Sequence, residues 1–449
     1  MNRSERRLAA ALVCVVTVVA FEAMSVATIL PDVEDELGGL SLYGWVFSAF
    51  TLSSLVGIVA AGWWCDRHRP GDALAGALGV FVIGLLVGGS ATSMGMLIGG
   101  RVLQGLGAGI VPAVVYVCIG RGFREEQRPR VFALAATAWV VPSLIGPALA
   151  AFVSSHASWR WVFLGLVPIT IVIGAAALPA VMRLGSVVND APSTSPIVLP
   201  TIGLTLGAAL TLASLELPVA IAVPAVVVGL AVTGYAFMHL TPPGTLRARP
   251  GLPAAVLLRG MLTFAFFGID AYISLALVDV RGSSTAFAGV VLAVASFSWT
   301  AASWIQARWV TRLGPRPFVR GGFGLIVVAG FVLVGTMGVG VPIWVALIGW
   351  AIGGLGMGLA YAPISAATLF AAEEGHEGAA TASLQLSDSL GISFGTGVGG
   401  ALITAFGTSG DELGHGVRVV WLGMAAVAVV GAVLAPRLPA SVSRETVLT

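Results

Sequence analysis

Apolar stretches of about twenty residues follow one another along nearly all of this 449-residue chain, separated by short polar loops. A helix rises about 1.5 Å per residue, so about 20 apolar residues cross a hydrocarbon layer about 30 Å thick. Candidate spans lie at 8–30, 42–65, 73–93, 95–119, 131–153 and 160–180, then at 197–215, 218–239 and 254–279. The last five lie at 285–307, 318–339, 341–366, 379–406 and 417–436, which makes fourteen. Charge agrees with hydropathy, since only 10% of residues are charged against about 25% in a water-soluble domain. A surface so poor in charge cannot face water over most of its area. The first span is too long to be a removable signal peptide, and no small-residue cleavage site follows it. An all-α polytopic membrane protein is expected.

Arginine placement gives the orientation. The chain has no lysine, so every basic side chain is an arginine. Arg3, Arg6, Arg7, Arg67, Arg69, Arg121, Arg124, Arg128, Arg130, Arg183, Arg247, Arg249, Arg308, Arg312, Arg316, Arg320, Arg437 and Arg444 all fall on one side when the number of spans is even. The other side holds Arg160, Arg281 and Arg418 and the acidic run Asp32, Glu34, Asp35, Glu36. Positive residues mark the cytoplasmic side, so both termini are expected there, in a multi-pass protein of the cell membrane. Glu373, Glu374 and Glu377 form one cytoplasmic loop without arginine.

The spans group as six, two and six. Residues 1–183 form a first bundle. Residues 184–250 form a linker with an inserted two-helix hairpin, bounded by Ala191-Pro192-Ser193-Thr194-Ser195-Pro196 and Thr241-Pro242-Pro243-Gly244. Residues 251–449 form a second bundle. Two six-span halves read as a parallel repeat about an axis along the membrane normal. Cys14, Cys65 and Cys118 show no paired spacing and read as small buried hydrophobes.

Ionisable residues well inside a span are costly and functional by default. Four stand out: Glu22, Arg101, Asp270 and Asp388. Counted from the outer ends of their spans, Glu22 lies roughly 12 Å deep, Arg101 roughly 9 Å and Asp270 roughly 14 Å. These three are expected in one layer. A carboxylate there holds a proton or gives it up to an approaching cation. Glu22 and Asp270 are the candidates for the exchanged proton, with Arg101 tuning Glu22. Asp388 reads as a substrate or secondary proton site, or equally as a helix-to-helix hydrogen-bonding group beside Gln385, Ser387 and Ser389. Arg101 either faces a carboxylate or snorkels to the interface. Glu216 and Asp279, at span ends, read as solvated. Phe264, Phe266, Phe267, Tyr272 and Phe297 either line a lipophilic pocket or face core and lipid. The histidines show no metal-ligand spacing, and no phosphate-binding glycine loop with lysine occurs, which argues against an ATP-driven pump.

The loop after the second span reads Gly62-Trp63-Trp64-Cys65-Asp66-Arg67-His68-Arg69. It resembles the signature loop of the major facilitator superfamily, although Arg69-Pro70-Gly71 stands where a further glycine is usual. In that resemblance Gly62 permits close helix approach, and Asp66, followed by Arg67, pairs with an arginine to stabilise one access state. The bland alternative is a solvated basic loop. Arg308-Trp309-Val310-Thr311-Arg312-Leu313-Gly314-Pro315-Arg316 looks like a degraded copy in the second half, with Thr311 in place of the acid. Gly100-Arg101-Val102-Leu103-Gln104-Gly105 resembles the fourth-span motif of the family, in which an arginine precedes the pair Gln104-Gly105. Pro142-Ser143-Leu144-Ile145-Gly146-Pro147 resembles the antiporter signature of its drug exporters, with Ala150-Ala151 for the usual glycines. Ser158-Trp159-Arg160-Trp161-Val162-Phe163 and Glu22, nine residues before Pro31, are similar to recurring features of the fourteen-span drug:proton branch.

The resemblance covers nearly the whole chain and is more specific in the first half. It implies two six-helix bundles in a major facilitator fold plus two inserted helices, about fourteen in all. It implies a proton-coupled efflux antiporter for lipophilic or amphipathic small molecules, working by alternating access. Export of an endogenous lipid or metabolite, and an uptake symporter or facilitator, are the alternatives. No enzyme activity, cofactor, metal or nucleic acid is expected. The partners expected are a small lipophilic substrate, protons and membrane lipids, around a monomer.

Overall fold

The computed structural model describes residues 1–38, 42–185, 198–214, 217, 219–338, 340–407 and 410–442. The Pro/Ser-rich stretch at 191–196, Glu216 and Arg444 lie outside the described residues. Regular structure among the described residues is helical. In chain order the helices are α1 (Arg3–Leu37), α2 (Tyr43–Cys65), α3 (Pro70–Gly89) and α4 (Met94–Gly122). Next come α5 (Arg128–His156), α6 (Arg160–Val181), α7 (Val198–Ser214) and α8 (Val219–Leu240). The rest are α9 (Leu252–Val280), α10 (Thr285–Leu313), α11 (Pro315–Thr336), α12 (Val345–Ala371), α13 (Glu377–Phe406) and α14 (Gly410–Leu434). Among the described residues, 13 helices are long and apolar enough to cross a membrane. The expected span at 197–215 is α7, an apolar helix of 17 residues that is just too short for that class.

Local chemistry sets the helix ends. Ser93 accepts a hydrogen bond from the Met96 N–H and Ser284 from the Phe287 N–H, capping α4 and α10. Pro70 and Pro315 open α3 and α11, where a missing N–H costs nothing. The helix of α5 breaks at Ala138–Trp139. Pro142 cannot bond the carbonyl four residues earlier, which is that of Ala138. That carbonyl instead accepts a hydrogen bond from Thr17 Oγ1 on α1 at 3.3 Å. In α9 the helix breaks after Asp270 and ends in a π-helical turn, Ala276–Val280. Cys65 and Cys118 are buried as expected, but Cys14 is exposed on α1.

The chain divides into two compact units. Unit 1 comprises Met1–Ala209, Tyr235–Leu240 and Glu373–Gln385, and unit 2 comprises Leu210–Gly234, Thr241–Ala372 and Leu386–Thr449. In unit 1, α2 and α4 touch backbone to backbone. A Cβ on Gly105 would collide with Ser53 Oγ and the Phe50 carbonyl, and one on Gly109 with the Ser54 carbonyl. In unit 2, α10 and α12 repeat this contact, with Gly354 against Ser298 Oγ and the Ala295 carbonyl, and Gly358 against the Trp299 carbonyl. Small residues at such seams allow the dispersion contacts that hold membrane helices together. Gly105→Leu is therefore expected to abolish folded protein, scored as loss of the monodisperse peak in size-exclusion chromatography. Gly146→Ala is expected to leave that peak intact, because a Cβ there sits 3.5 Å from Met24 Cβ, an ordinary contact.

Candidate functional site

Unit 1 buries a charged cluster at its centre. Glu22 on α1 and Arg101 on α4 form an ion pair, with 0% and 2% of their surfaces exposed. Arg101 also donates from Nη1 to Gln104 Oε1 (2.7 Å) and from Nε to the Val46 carbonyl of α2 (3.1 Å). Gln104 donates in turn to the Gly84 carbonyl of α3 (3.0 Å). The guanidinium lies 4.2 Å from the Phe50 ring centre. One side chain thus joins α1 and α2, and α3 through Gln104, and it does not reach for a helix end. Glu22 Oε2 and Ser25 Oγ, one turn further along α1, are buried without a hydrogen-bond partner.

Unit 2 carries the counterpart with one decisive change. Asp270 on α9 accepts a hydrogen bond from Trp350 Nε1 on α12 at 2.9 Å. The glycine seams place Trp350 in α12 where Arg101 stands in α4, four residues before the seam glycine in each case. Gly99-Gly100-Arg101-Val102-Leu103-Gln104-Gly105-Leu106-Gly107-Ala108-Gly109 aligns with Ile348-Gly349-Trp350-Ala351-Ile352-Gly353-Gly354-Leu355-Gly356-Met357-Gly358. The repeat therefore puts an acid from the first helix of the bundle onto a donor from the fourth. In unit 1 that donor is a cation. In unit 2 it is a neutral indole, and no arginine lies within salt-bridge distance of Asp270 among the described residues.

Asp388 on α13 has a partner that the sequence reading passed over. Arg259 on α9 is fully buried, with Nη1 3.5 Å from Asp388 Oδ1. Arg259 Nη2 donates to the Tyr361 carbonyl (2.8 Å) and to Ser365 Oγ of α12, and its guanidinium stacks 3.5 Å from the Tyr361 ring centre. The Tyr361 hydroxyl donates to Asp388 Oδ2 at 3.2 Å. Arg259 sits five residues inside the span at 254–279, in the apolar run Val256-Leu257-Leu258-Arg259. An arginine without a local acid was the available signal. Of the aromatic candidates, Phe266 is buried and stacks on Trp350 at 4.7 Å, whereas Phe297 is exposed. Tyr272 donates its hydroxyl to the Thr396 carbonyl.

The motif loop differs from expectation in its main partners. Asp66, at the end of α2, accepts hydrogen bonds from the backbone N–H groups of Gly378 (2.6 Å) and Ala379 (2.9 Å) in the first turn of α13. The expected arginine is Arg121, 4.0 Å from Asp66 and 3.2 Å from Glu377. Unpaired amides and the positive dipole end make a helix N-terminus a better seat for a carboxylate than a distant guanidinium. Gly62 makes room for this approach, since a Cβ there would meet Ala382 Cβ at 2.5 Å and the Gly378 carbonyl at 2.9 Å. Arg67 folds back, donating to the Trp63 carbonyl (3.0 Å) and stacking on its ring.

Burial pushes the Asp66 carboxyl up to about 6, against the two N–H groups, Arg121 and His376, which pull it down. A raised value means that the buried Asp66 carboxyl favours the fold most at low pH, where it is protonated, and that this stability is lost as pH rises through about 6. The melting temperature of the wild type relative to Asp66→Asn is thus expected to increase on going from pH 7 to pH 5, by about 1 to 2 kcal/mol in stability. A pH-independent difference would contradict this.

In α5, Pro142 and Gly146 are buried and Pro147 is half-buried. Gly146 faces Phe21, Met24 and Ser25 on α1, so the antiporter-like segment packs on the helix that carries Glu22. No group of three or more His, Cys, Asp or Glu that could hold a metal ion occurs among the described residues.

Comparison with known proteins agrees with this architecture. The multidrug transporter protein MdtP of Bacillus subtilis is 25% identical over 398 residues, covering 86% of this chain and 73% of MdtP. An uncharacterized MFS-type transporter of Mycobacterium tuberculosis is 28% identical over 410 residues, and the match covers 88% of this chain but 59% of that protein. Among solved structures, the human organic anion transporter MFSD10 superposes with a TM-score of 0.73 at 13% identity, covering 97% of this chain and all of that one. The proton:xylose symporter XylE gives 0.68 at 13% identity, over 96% and 94%. At that identity the likeness concerns the fold. The family model of the Major Facilitator Superfamily matches residues 12–345 and 307–446. Family model, helical architecture and the repeated seams agree, and the chain belongs to the Major Facilitator Superfamily.

Proposed function

We propose that this multi-pass membrane transporter is a proton-coupled antiporter that exports lipophilic or amphipathic small molecules, with Asp270 as the exchanging group. One observation carries the reading. Of the three carboxylates that lie well inside the spans among the described residues, Glu22 and Asp388 each have a buried arginine, while Asp270 has only the Trp350 N–H. A charge inside a span without a counter-charge is costly even where it is partly exposed. Asp270 is therefore the carboxylate whose charge has to be balanced from outside the protein, by a proton in one half-cycle and by a cationic substrate in the other. Competition of the two for one oxygen pair is sufficient for exchange. Glu22 with Arg101, and Asp388 with Arg259, serve as fixed dipoles that hold their bundles together, and the spare Glu22 oxygen remains a secondary proton site.

The Asp66 seat on α13 is the contact to be broken and remade during alternating access, on the arginine-rich side that we assign to the cytoplasm. MdtP, named as a multidrug transporter protein, supports the substrate class. Reconstitution into proteoliposomes with an imposed pH gradient and tetraphenylphosphonium as substrate tests the proposal. Substrate-dependent proton release is expected, and transport that ignores the gradient would rule out the antiporter.

A further inference from the structure

An unbroken strip of aromatic rings runs through unit 2 between its two carboxylates. Trp350 holds Asp270 and stacks on Phe266 at 4.7 Å. Phe266 meets Trp299 edge-on at 5.7 Å, and Trp299 meets Tyr361 at 5.4 Å. Tyr361 holds Asp388. Within this strip one polar atom has nothing to bond: the Trp299 Nε1 is shielded from solvent and without a hydrogen-bond partner. Buried indole N–H groups usually find an acceptor.

The strip does not face lipid. Along α10 the exposed large residues are Val290, Phe297, Ile305, Trp309 and, at its last position, Leu313. At about 100° per residue, Trp299 lies roughly 200° round the helix from Phe297. It shares its face with the buried Ala295, Ala302, Ser303 and Gln306. Asp270 and Asp388 are both partly exposed, and carboxylates in a span turn toward a polar interior. Trp299 lies between them in the strip of rings, on the buried face of α10.

We propose that this strip is a substrate subsite in which Trp299 Nε1–H donates to an acceptor oxygen of a planar aromatic cation. Trp299 and Tyr361, the partly exposed rings of the strip, supply stacking faces, which attract cations as well as π-systems. The positive end of the ligand lies toward Asp270, the carboxylate without an arginine. The acceptor lies two rings away, at Trp299. A ligand so placed stacks on Tyr361, the ring that holds Asp388, with the buried Phe266 and Trp350 behind it. The inference rests on the exchanging role given to Asp270, and Trp299 is its specificity-determining residue.

Equilibrium binding to the full-length protein in lipid nanodiscs tests it, with two fluorescent probes. Rhodamine 6G is a planar cation with an ester carbonyl; ethidium is a planar cation without one. Trp299→Phe keeps the ring and removes the N–H. It is expected to weaken rhodamine 6G by about five- to tenfold, the value of one neutral hydrogen bond, and to leave ethidium within about twofold. Trp299→Leu is expected to weaken both. Equal effects of Trp299→Phe on the two dyes, or none on rhodamine 6G, would overturn the assignment, as would a wild-type protein that binds neither. The two readings separate cleanly. Should Asp270→Asn retain gradient-driven export while Trp299→Phe still discriminates between the dyes, the exchanging role of Asp270 falls and the Trp299 donor stands.

Discussion

Asp270→Asn should leave a folded transporter that no longer concentrates substrate against a gradient. An amide of the same shape still accepts from Trp350 Nε1, so the 2.9 Å hydrogen bond is kept and only the titrating charge is lost. For one-for-one exchange, one pH unit corresponds to about 1.4 kcal/mol, or about a tenfold substrate ratio across the membrane. In the Asn variant that ratio should fall to about one, while counterflow of substrate for substrate persists if binding survives. Trp350→Arg should produce the same loss by the opposite route. It restores in unit 2 the cation that Arg101 provides in unit 1, and so balances Asp270 permanently. Both variants are read in the same proteoliposome assay. A tenfold ratio retained by either one would remove Asp270 from the coupling mechanism.

Arg101→Met should be strongly destabilising. It leaves Glu22 as a buried anion without its cation, and strips the Val46 carbonyl and Gln104 Oε1 of their donor. Breaking one side of a buried pair costs about 3–5 kcal/mol. Replacing both sides by apolar residues is often close to neutral. Glu22→Leu combined with Arg101→Met should thus recover most of the melting temperature lost in the single variant, measured in the same detergent. A double variant no more stable than the single one would show that Arg101 works mainly through α2 and α3. The corresponding pair in unit 2 is expected to respond less, because Arg259 keeps the Tyr361 carbonyl and Ser365 when Asp388 is removed.

Much of the molecule was legible without coordinates, for a simple reason. Lipid cannot satisfy a backbone amide, so twenty apolar residues have one solution. Hydropathy then gives helix number and approximate bounds, and arginine placement suggests sidedness. The seam glycines recur at the same spacing in both helices, but only their packing shows that Trp350 stands where Arg101 does. What hid the match is that an arginine announces itself in an apolar run and a tryptophan does not. Arg259 was hidden differently. Five residues from a span end, it looks like a side chain able to reach water, and only the packing of α9 against α12 and α13 closes that route.

Partnership is what the sequence left undetermined. Asp270 and Trp350 are 80 residues apart, Arg101 and Glu22 79, and Arg259 and Asp388 129. Which acid meets which donor depends on how far each helix is rotated about its own axis, and rotation is set by side-chain packing along whole seams rather than by any local pattern. Composition and periodicity therefore determined a helical membrane protein with a few costly intramembrane charges. Tertiary structure alone decided that two of its acids are balanced by arginine and the third, Asp270, is not.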